Sequence, residues 1–202
     1  MGNGIAHICA MSGFSVKLMD NSIEQLRIAR QTIENNLKRM AQKQRITPDK
    51  VSSSLARIQC CTNIKQAVVD ADIVVEVVTE KITVKKEVWN EIEQEIDPKR
   101  LKQTIFATNT SSISISELAQ ELKYPENMIG MHFFNPVPVM SLVEIILGKK
   151  TSEKTFKTVE RLTTDLGKTP IRVHDFPGFV SNRILMPMIN EAIYTLYEGV
   201  AE

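Results

Sequence analysis

The sequence predicts an open α/β sheet with mostly parallel strands, followed by a purely helical tail. Three observations lead there. Short β-rich runs alternate with amphipathic stretches along most of the chain, the pattern of helices covering a parallel sheet. Ala71 to Val78 (ADIVVEVV) is a nearly continuous apolar run, as expected of a strand buried on both faces. Beyond Pro177-Gly178 the pattern is helical, with no strand after it.

The elements follow in order. Gly2-Asn3-Gly4 opens an apolar helix, and Phe14 to Asp20 alternates as a strand. Ser22-x-x-Gln25 has the form of a capping box and starts a long helix with Leu26, Ala29, Ile33, Leu37 and Met40 on one face. Thr47-Pro48-Asp49 begins a second helix, and Ile58 to Thr62 is a short strand. Val84 to Ile96 reads as a helix stopped by Asp97-Pro98. Thr104 to Thr108 is a strand, and Ser114-x-x-Glu117 opens the next helix. Met128 to Phe134 and Leu142 to Leu147 are strands around a Pro136/Pro138 loop. Ser152 to Leu166 is a helix ended by Gly167, Thr169 to Val173 is the last strand, and Val180 to Glu198 is helical. Asp175 to Gly178 is the domain boundary, giving units of 1–175 and 176–202. The second, at about 25 residues, is too short for a core of its own.

Composition narrows the function. Of the 202 residues, 43% are apolar and 24% charged, a globular balance that excludes a disordered chain. Lysine plus arginine (25) against aspartate plus glutamate (24) leaves a net charge of +1, too small to hold a nucleic-acid backbone by bulk charge. No apolar run is long enough to cross a bilayer, and Met1-Gly2 lacks the Ser or Thr of a myristoylation signal, the position being Ala6. Cys9, Cys60 and Cys61 are an odd set with no metal spacing, which fits reduced thiols in the cytoplasm. No Walker lysine accompanies Gly2 to Gly13, which disfavours nucleotide hydrolysis.

Three groups of residues can carry chemistry. Asp20 ends a strand about 20 residues past a glycine turn, where a carboxylate accepts both hydroxyls of a ribose and repels a 2′-phosphate, favouring NAD over NADP; alternatively it only begins a turn. Asn109-Thr110-Ser111-Ser112 follows a strand end, where ligands bind in open α/β sheets; alternatively it is a solvated loop. His132 lies among apolar residues, and Glu144 lies in the apolar strand Leu142–Ile146. A carboxylate there needs a partner. The pair is either a general base with its orienting carboxylate or a structural ion pair. His7 and His174 read as structural. Met186, Met188 and Ile189 read as core or interface.

Together these segments resemble the NAD-dependent 3-hydroxyacyl-CoA dehydrogenases. The likeness rests on Met1–His7 (MGNGIAH), Asn109–Ser112 (NTSS), His132–Met140 (HFFNPVPVM), Leu142-Val143-Glu144 and Pro177–Arg183 (PGFVSNR). It spans essentially the whole chain in order. The helical excursion from Ser22 to about Ser54 resembles the short-chain, 3-hydroxybutyryl-CoA branch.

The resemblance implies a Rossmann-type sheet, an NAD cofactor and an acyl-CoA substrate, with no nucleic-acid or membrane partner. Under it, Gly2 would close the glycine fingerprint at the pyrophosphate and Asp20 would bind the adenosine ribose. Glu80 and Lys85 would lie near the nicotinamide ribose, and Asn109 would position the nicotinamide. Ser111 and Asn182 would hydrogen-bond the substrate's 3-oxygen. His132 would take the hydroxyl proton, held by Glu144. Lys38 and Lys43 would meet the CoA, unless they are only a solvated cationic face. The family's chain carries a first strand and two more glycines ahead of Gly2, and its helical domain continues into a homodimer interface. The expectation is therefore a sheet lacking its first strand and a helical domain represented by its first helix. A non-catalytic, crystallin-like relative is the alternative.

Overall fold

A computed structural model describes residues 1–202. The chain runs α1 (Gly2–Met11), β1 (Val16–Met19), α2 (Ile23–Gln42), α3 (Pro48–Ala56), β2 (Ile58–Cys61), α4 (Ile64–Val68), β3 (Ile73–Glu76) and α5 (Ile82–Glu95). It continues through α6 (Pro98–Leu101), β4 (Ile105–Thr108), α7 (Ile115–Leu118), β5 (Met128–Phe133), β6 (Leu142–Leu147), α8 (Glu153–Asp165), β7 (Thr169–His174) and α9 (Ser181–Tyr197).

Local chemistry sets most of these boundaries. The hydroxyls of Ser22, Thr47, Ser114 and Ser152 accept from the backbone N–H three residues on, at 3.1–3.3 Å, capping α2, α3, α7 and α8. The reciprocal half of the Ser114 capping box does not form: the Glu117 carboxylate reaches Lys86 instead, at 3.8 Å. Gly167 ends the α8 segment in the left-handed region (φ 70°), which costs an L-residue and suits glycine.

The strands form a five-stranded sheet, β3-β4-β5-β6-β7, and a separate parallel pair, β1-β2. Within the larger sheet β3, β4 and β5 are parallel, β6 is antiparallel to β5, and β7 is parallel to β6. The reversal at β6 follows from its short proline loop, since a parallel return would need a crossover of a dozen residues or more. Helices cover both faces. Ile5 and Ile8 of α1 and Phe156 and Val159 of α8 pack with Ile129, Met131 and Ile145. Trp89 and Ile92 of α5 and Ile115 and Leu118 of α7 pack with Phe106, Met128 and Ile146.

One expectation is corrected. The apolar run Ala71–Val78 predicts a strand buried on both faces, yet Ile73, Val74 and Val75 are only half-buried. The edge of β3 away from β4 has no strand partner, and a cleft of about 1480 Å³ separates it from β1. The stripe of Met186, Met188 and Ile189 is likewise not core, because no residue of α9 is buried. No helix is long and apolar enough to cross a membrane.

Candidate active site

The carboxyl ends of β3, β4 and β5 lie side by side, and the residues just past them carry the polar chemistry. His132 and Glu144 are direct partners in the antiparallel β5–β6 register, so both side chains project from the same face of the sheet. Nδ1 of His132 lies 2.7 Å from Oε2 of Glu144, and both side chains are buried. With Nδ1–H donated to the carboxylate, Nε2 is left to accept a proton from another group. The rings of Phe134 and Phe179 flank the imidazole at 4.7 and 5.8 Å and keep bulk water from it.

Glu144 is held on its other oxygen as well. Oε1 accepts from the N–H groups of Val180 (3.1 Å) and Ser181 (2.8 Å) and from the Ser181 hydroxyl (3.0 Å). Burial would push this carboxyl up. The bonds from His132 and Ser181 outweigh burial and hold it below the ordinary glutamate value. Gly178 (φ 78°) and Phe179 (φ 49°) are successive left-handed residues just before these donors. A buried Phe at positive φ is strained backbone, here in the turn that brings the two amides to Glu144.

The remaining predicted residues join this pair. Asn109 Oδ1 accepts from the N–H of Phe133 at 2.9 Å, next to His132. Asn182 Nδ2 donates to the carbonyl of Ser111 at 3.3 Å, next to Ser181. Ser111 N–H donates to Glu80 at 2.8 Å, and the same oxygen also accepts from Thr110 and Ser112. The structure therefore brings Asn109, Ser111, His132, Glu144, Asn182 and Glu80 into one connected constellation. Glu80 lies below its ordinary value: burial raises it, but the Thr110 hydroxyl, the Ser111 amide and Lys85 more than compensate.

Lys85 is almost wholly buried, 2.8 Å from Glu76 and 3.3 Å from Glu80. Glu76 in turn accepts from the Thr108 hydroxyl (2.6 Å) and the Val78 N–H (2.7 Å). The Lys85 ammonium is therefore engaged with two carboxylates that fix the ends of β3 and β4. Lys38 pairs with Glu34 on the exposed face of α2, Lys43 is exposed, and no bond joins either lysine to the constellation around His132.

Residues 1–176 match the family described as 3-hydroxyacyl-CoA dehydrogenase, NAD binding domain. The chain belongs to the 3-hydroxyacyl-CoA dehydrogenase family. A 3-hydroxybutyryl-CoA dehydrogenase of Bradyrhizobium diazoefficiens is 44% identical over 200 residues, 99% of this chain and 67% of its own. A probable 3-hydroxybutyryl-CoA dehydrogenase of Bacillus subtilis is 45% identical over 202 residues, 100% of this chain and 69% of its own. The crystal structure of (S)-3-hydroxybutyryl-CoA dehydrogenase from Ralstonia eutropha superposes with a TM-score of 0.95 at 44% identity, covering 100% of this chain and 70% of that one.

The residues of this dehydrogenase-family chain fit a dinucleotide. Gly2 and Asp20 line the same cleft between β1 and β3. The amides of Gly2 and Asn3 open α1 without an intrahelical acceptor, an arrangement that suits a diphosphate. Asp20 Oδ1 accepts from Ser22 N–H at 2.9 Å, so the carboxylate does begin a turn, and its second oxygen carries no hydrogen bond within the protein.

Sequence reasoning missed several residues. It singled out Gly2, but a Cβ there would meet only Val77, at an ordinary 3.8 Å. Gly4 is the position with no room, since its Cβ would fall 2.9 Å from Cβ of Val137 in the proline loop. Gly4 stands in the same segment, but its contact is with a loop 133 residues away, which the glycine spacing does not reveal. Glu76, Phe179 and Ser181 were also missed, because each acts through a partner distant in sequence.

Proposed function

We propose that this chain oxidises (S)-3-hydroxyacyl-CoA, with 3-hydroxybutyryl-CoA as the favoured substrate, and reduces 3-oxoacyl-CoA in reverse, using NAD. The observation that carries the reading is the buried His132–Glu144 pair with Nδ1 committed and Nε2 free.

Bound NAD supplies the hydride acceptor. His132 Nε2 takes the proton of the substrate's 3-hydroxyl, and Glu144 stabilises the imidazolium that results. Ser111 and Asn182, held to each other at 3.3 Å, orient the 3-oxygen toward His132. Phe134 and Phe179 exclude water, which strengthens the charge interactions inside the site. Asp20 holds the adenosine ribose, Gly2 faces the diphosphate, and Asn109, Glu80 and Lys85 shape the nicotinamide side. Lys38 on α2 and Lys43 just past its end supply positive charge for the CoA phosphates.

Under the same reading residues 1–175 form the NAD-binding unit and 176–202 the first helix of a helical domain. The reading places the chain in the cytoplasm, in keeping with three free cysteines. It expects a homodimer through the helical unit, whose α9 exposes Ile184, Met188 and Ile193.

The test is NADH formation from (S)-3-hydroxybutyryl-CoA and NAD by the wild type and by His132→Gln. The variant should lose about 10²–10⁴-fold in turnover, the share of a general base, with NAD affinity retained. Undiminished turnover in His132→Gln removes the base assignment. NAD binding with no turnover in the wild type establishes the non-catalytic alternative.

A further inference from the structure

The two oxygens of Glu144 have separate partners. Oε2 faces His132 alone, whereas Oε1 receives three donors from one turn, two amides and the Ser181 hydroxyl. The amides are indifferent to the side chain at position 181. Any residue there keeps them, so the hydroxyl is the one contact that the amino acid at 181 decides.

A carboxylate shares one negative charge between its oxygens, and each charge-assisted donor draws on it. A donor on Oε1 therefore weakens what Oε2 can offer to Nδ1–H. Few other charges compete at this point. On the neighbouring elements, Arg183 lies over the Phe176 ring at 4.9 Å, and Glu80 is engaged with Lys85 and the Thr110–Ser112 loop. The rings closest to His132 are the apolar Phe134 and Phe179.

We propose that Ser181 is a positioning residue, its hydroxyl sharing Glu144 with His132 and so setting the strength of the Nδ1–Oε2 bond and the hold on the imidazole. This rests on the reading of His132 as the base. A Ser181 that merely caps the start of α9 would influence stability and leave the imidazole's titration alone.

The test follows the ring signals of His132 by NMR across a pH titration of the full chain, with His7 and His174 as internal references. Ser181→Ala should raise the His132 midpoint by about half a pH unit, roughly threefold in proton affinity. Ser181→Val should do the same. Ser181→Thr, equal in size to Val but carrying a hydroxyl, should restore the wild-type midpoint. The acid limb of kcat/KM should move with it.

An unmoved His132 midpoint in Ser181→Ala and Ser181→Val overturns the proposal, whatever the turnover. Equal shifts in Ser181→Thr and Ser181→Val also overturn it, since packing would then be the cause. The expected midpoints alongside undiminished turnover in His132→Gln support the link through Glu144 and defeat only the catalytic reading it serves.

Discussion

His132 and Glu144 face each other across one rung of the β5–β6 ladder, with Nδ1 and Oε2 2.7 Å apart. Because the contact is a rung of the sheet, the imidazole is oriented by rigid strands and not by a loop. Glu144→Gln keeps the shape, but with its neutral oxygen toward Nδ1–H it turns its NH₂ toward the amides of Val180 and Ser181, and flipped it turns the NH₂ toward Nδ1. Turnover should fall about 10²-fold or more, with little change in NAD affinity. Stopped-flow NADH formation checks this, and a loss below threefold would place the imidazolium's stabilisation elsewhere.

Acid should destabilise the protein in two windows. His7 is buried with neither ring nitrogen bonded within the protein. Its pKa is lowered, first by burial and then by the charge of Lys168. The unfolded chain therefore protonates before the folded one, and stability falls as pH drops below about 6.5. Glu144 is also held low in the folded state. Its contribution is full above the ordinary glutamate value of about 4.3 and is lost as pH falls through the folded value. Melting temperatures from pH 8 to 3 should show both declines. His7→Gln should flatten only the upper one, and an unchanged upper slope in that variant would point to other groups.

Asp20 begins a turn and lines the cleft, and the proposed ribose role separates experimentally from the turn. Asp20→Asn retains an oxygen for Ser22 N–H but loses the charge-assisted acceptor for the diol. NAD affinity should drop about 10–100-fold, the worth of one or two charged hydrogen bonds, with the melting temperature nearly unchanged. Calorimetric titration with NAD reads this, and intact affinity would leave Asp20 with the turn alone.

Gly4 and Gly2 should respond oppositely to alanine. At Gly4 a methyl would overlap Val137, and overpacking of this kind costs about 1–3 kcal/mol. At Gly2 a methyl makes only an ordinary contact with Val77, at 3.8 Å, and alanine's helix preference makes the change neutral or slightly stabilising. Urea unfolding of both variants checks the pair. Equal stability of Gly4→Ala and wild type would show that the proline loop yields.

Much of this arrangement was legible because its causes are local. Ser22 and Ser114 cap where their spacing said they would, since a cap needs only residues three apart. His132 and Glu144 could be paired in advance because a carboxylate in an apolar strand has few tolerable partners. The half-exposure of Ile73–Val75 was not read, because it depends on what lies beside β3 and not on β3 itself. The contact of Gly4 with Val137, and of Ser181 with Glu144, joins residues 133 and 37 positions apart. Nothing in the periodicity of either segment carries that information.

The buried Lys85 gives the sharpest stability prediction. It lies between Glu76 and Glu80, with Glu76 also bonded to Thr108 and Val78. Removing the ammonium alone leaves a buried carboxylate at the ends of β3 and β4 without its counter-ion, a loss of about 3–5 kcal/mol. Lys85→Met should therefore unfold at markedly lower urea. Lys85→Met combined with Glu76→Gln removes both charges; with the amide oxygen accepting from Val78 N–H and the NH₂ donating to the Thr108 hydroxyl oxygen, the pair should recover most of that loss. A double-mutant cycle measures the coupling. If the two losses simply add, Lys85 does not neutralise Glu76 in the way the 2.8 Å contact requires.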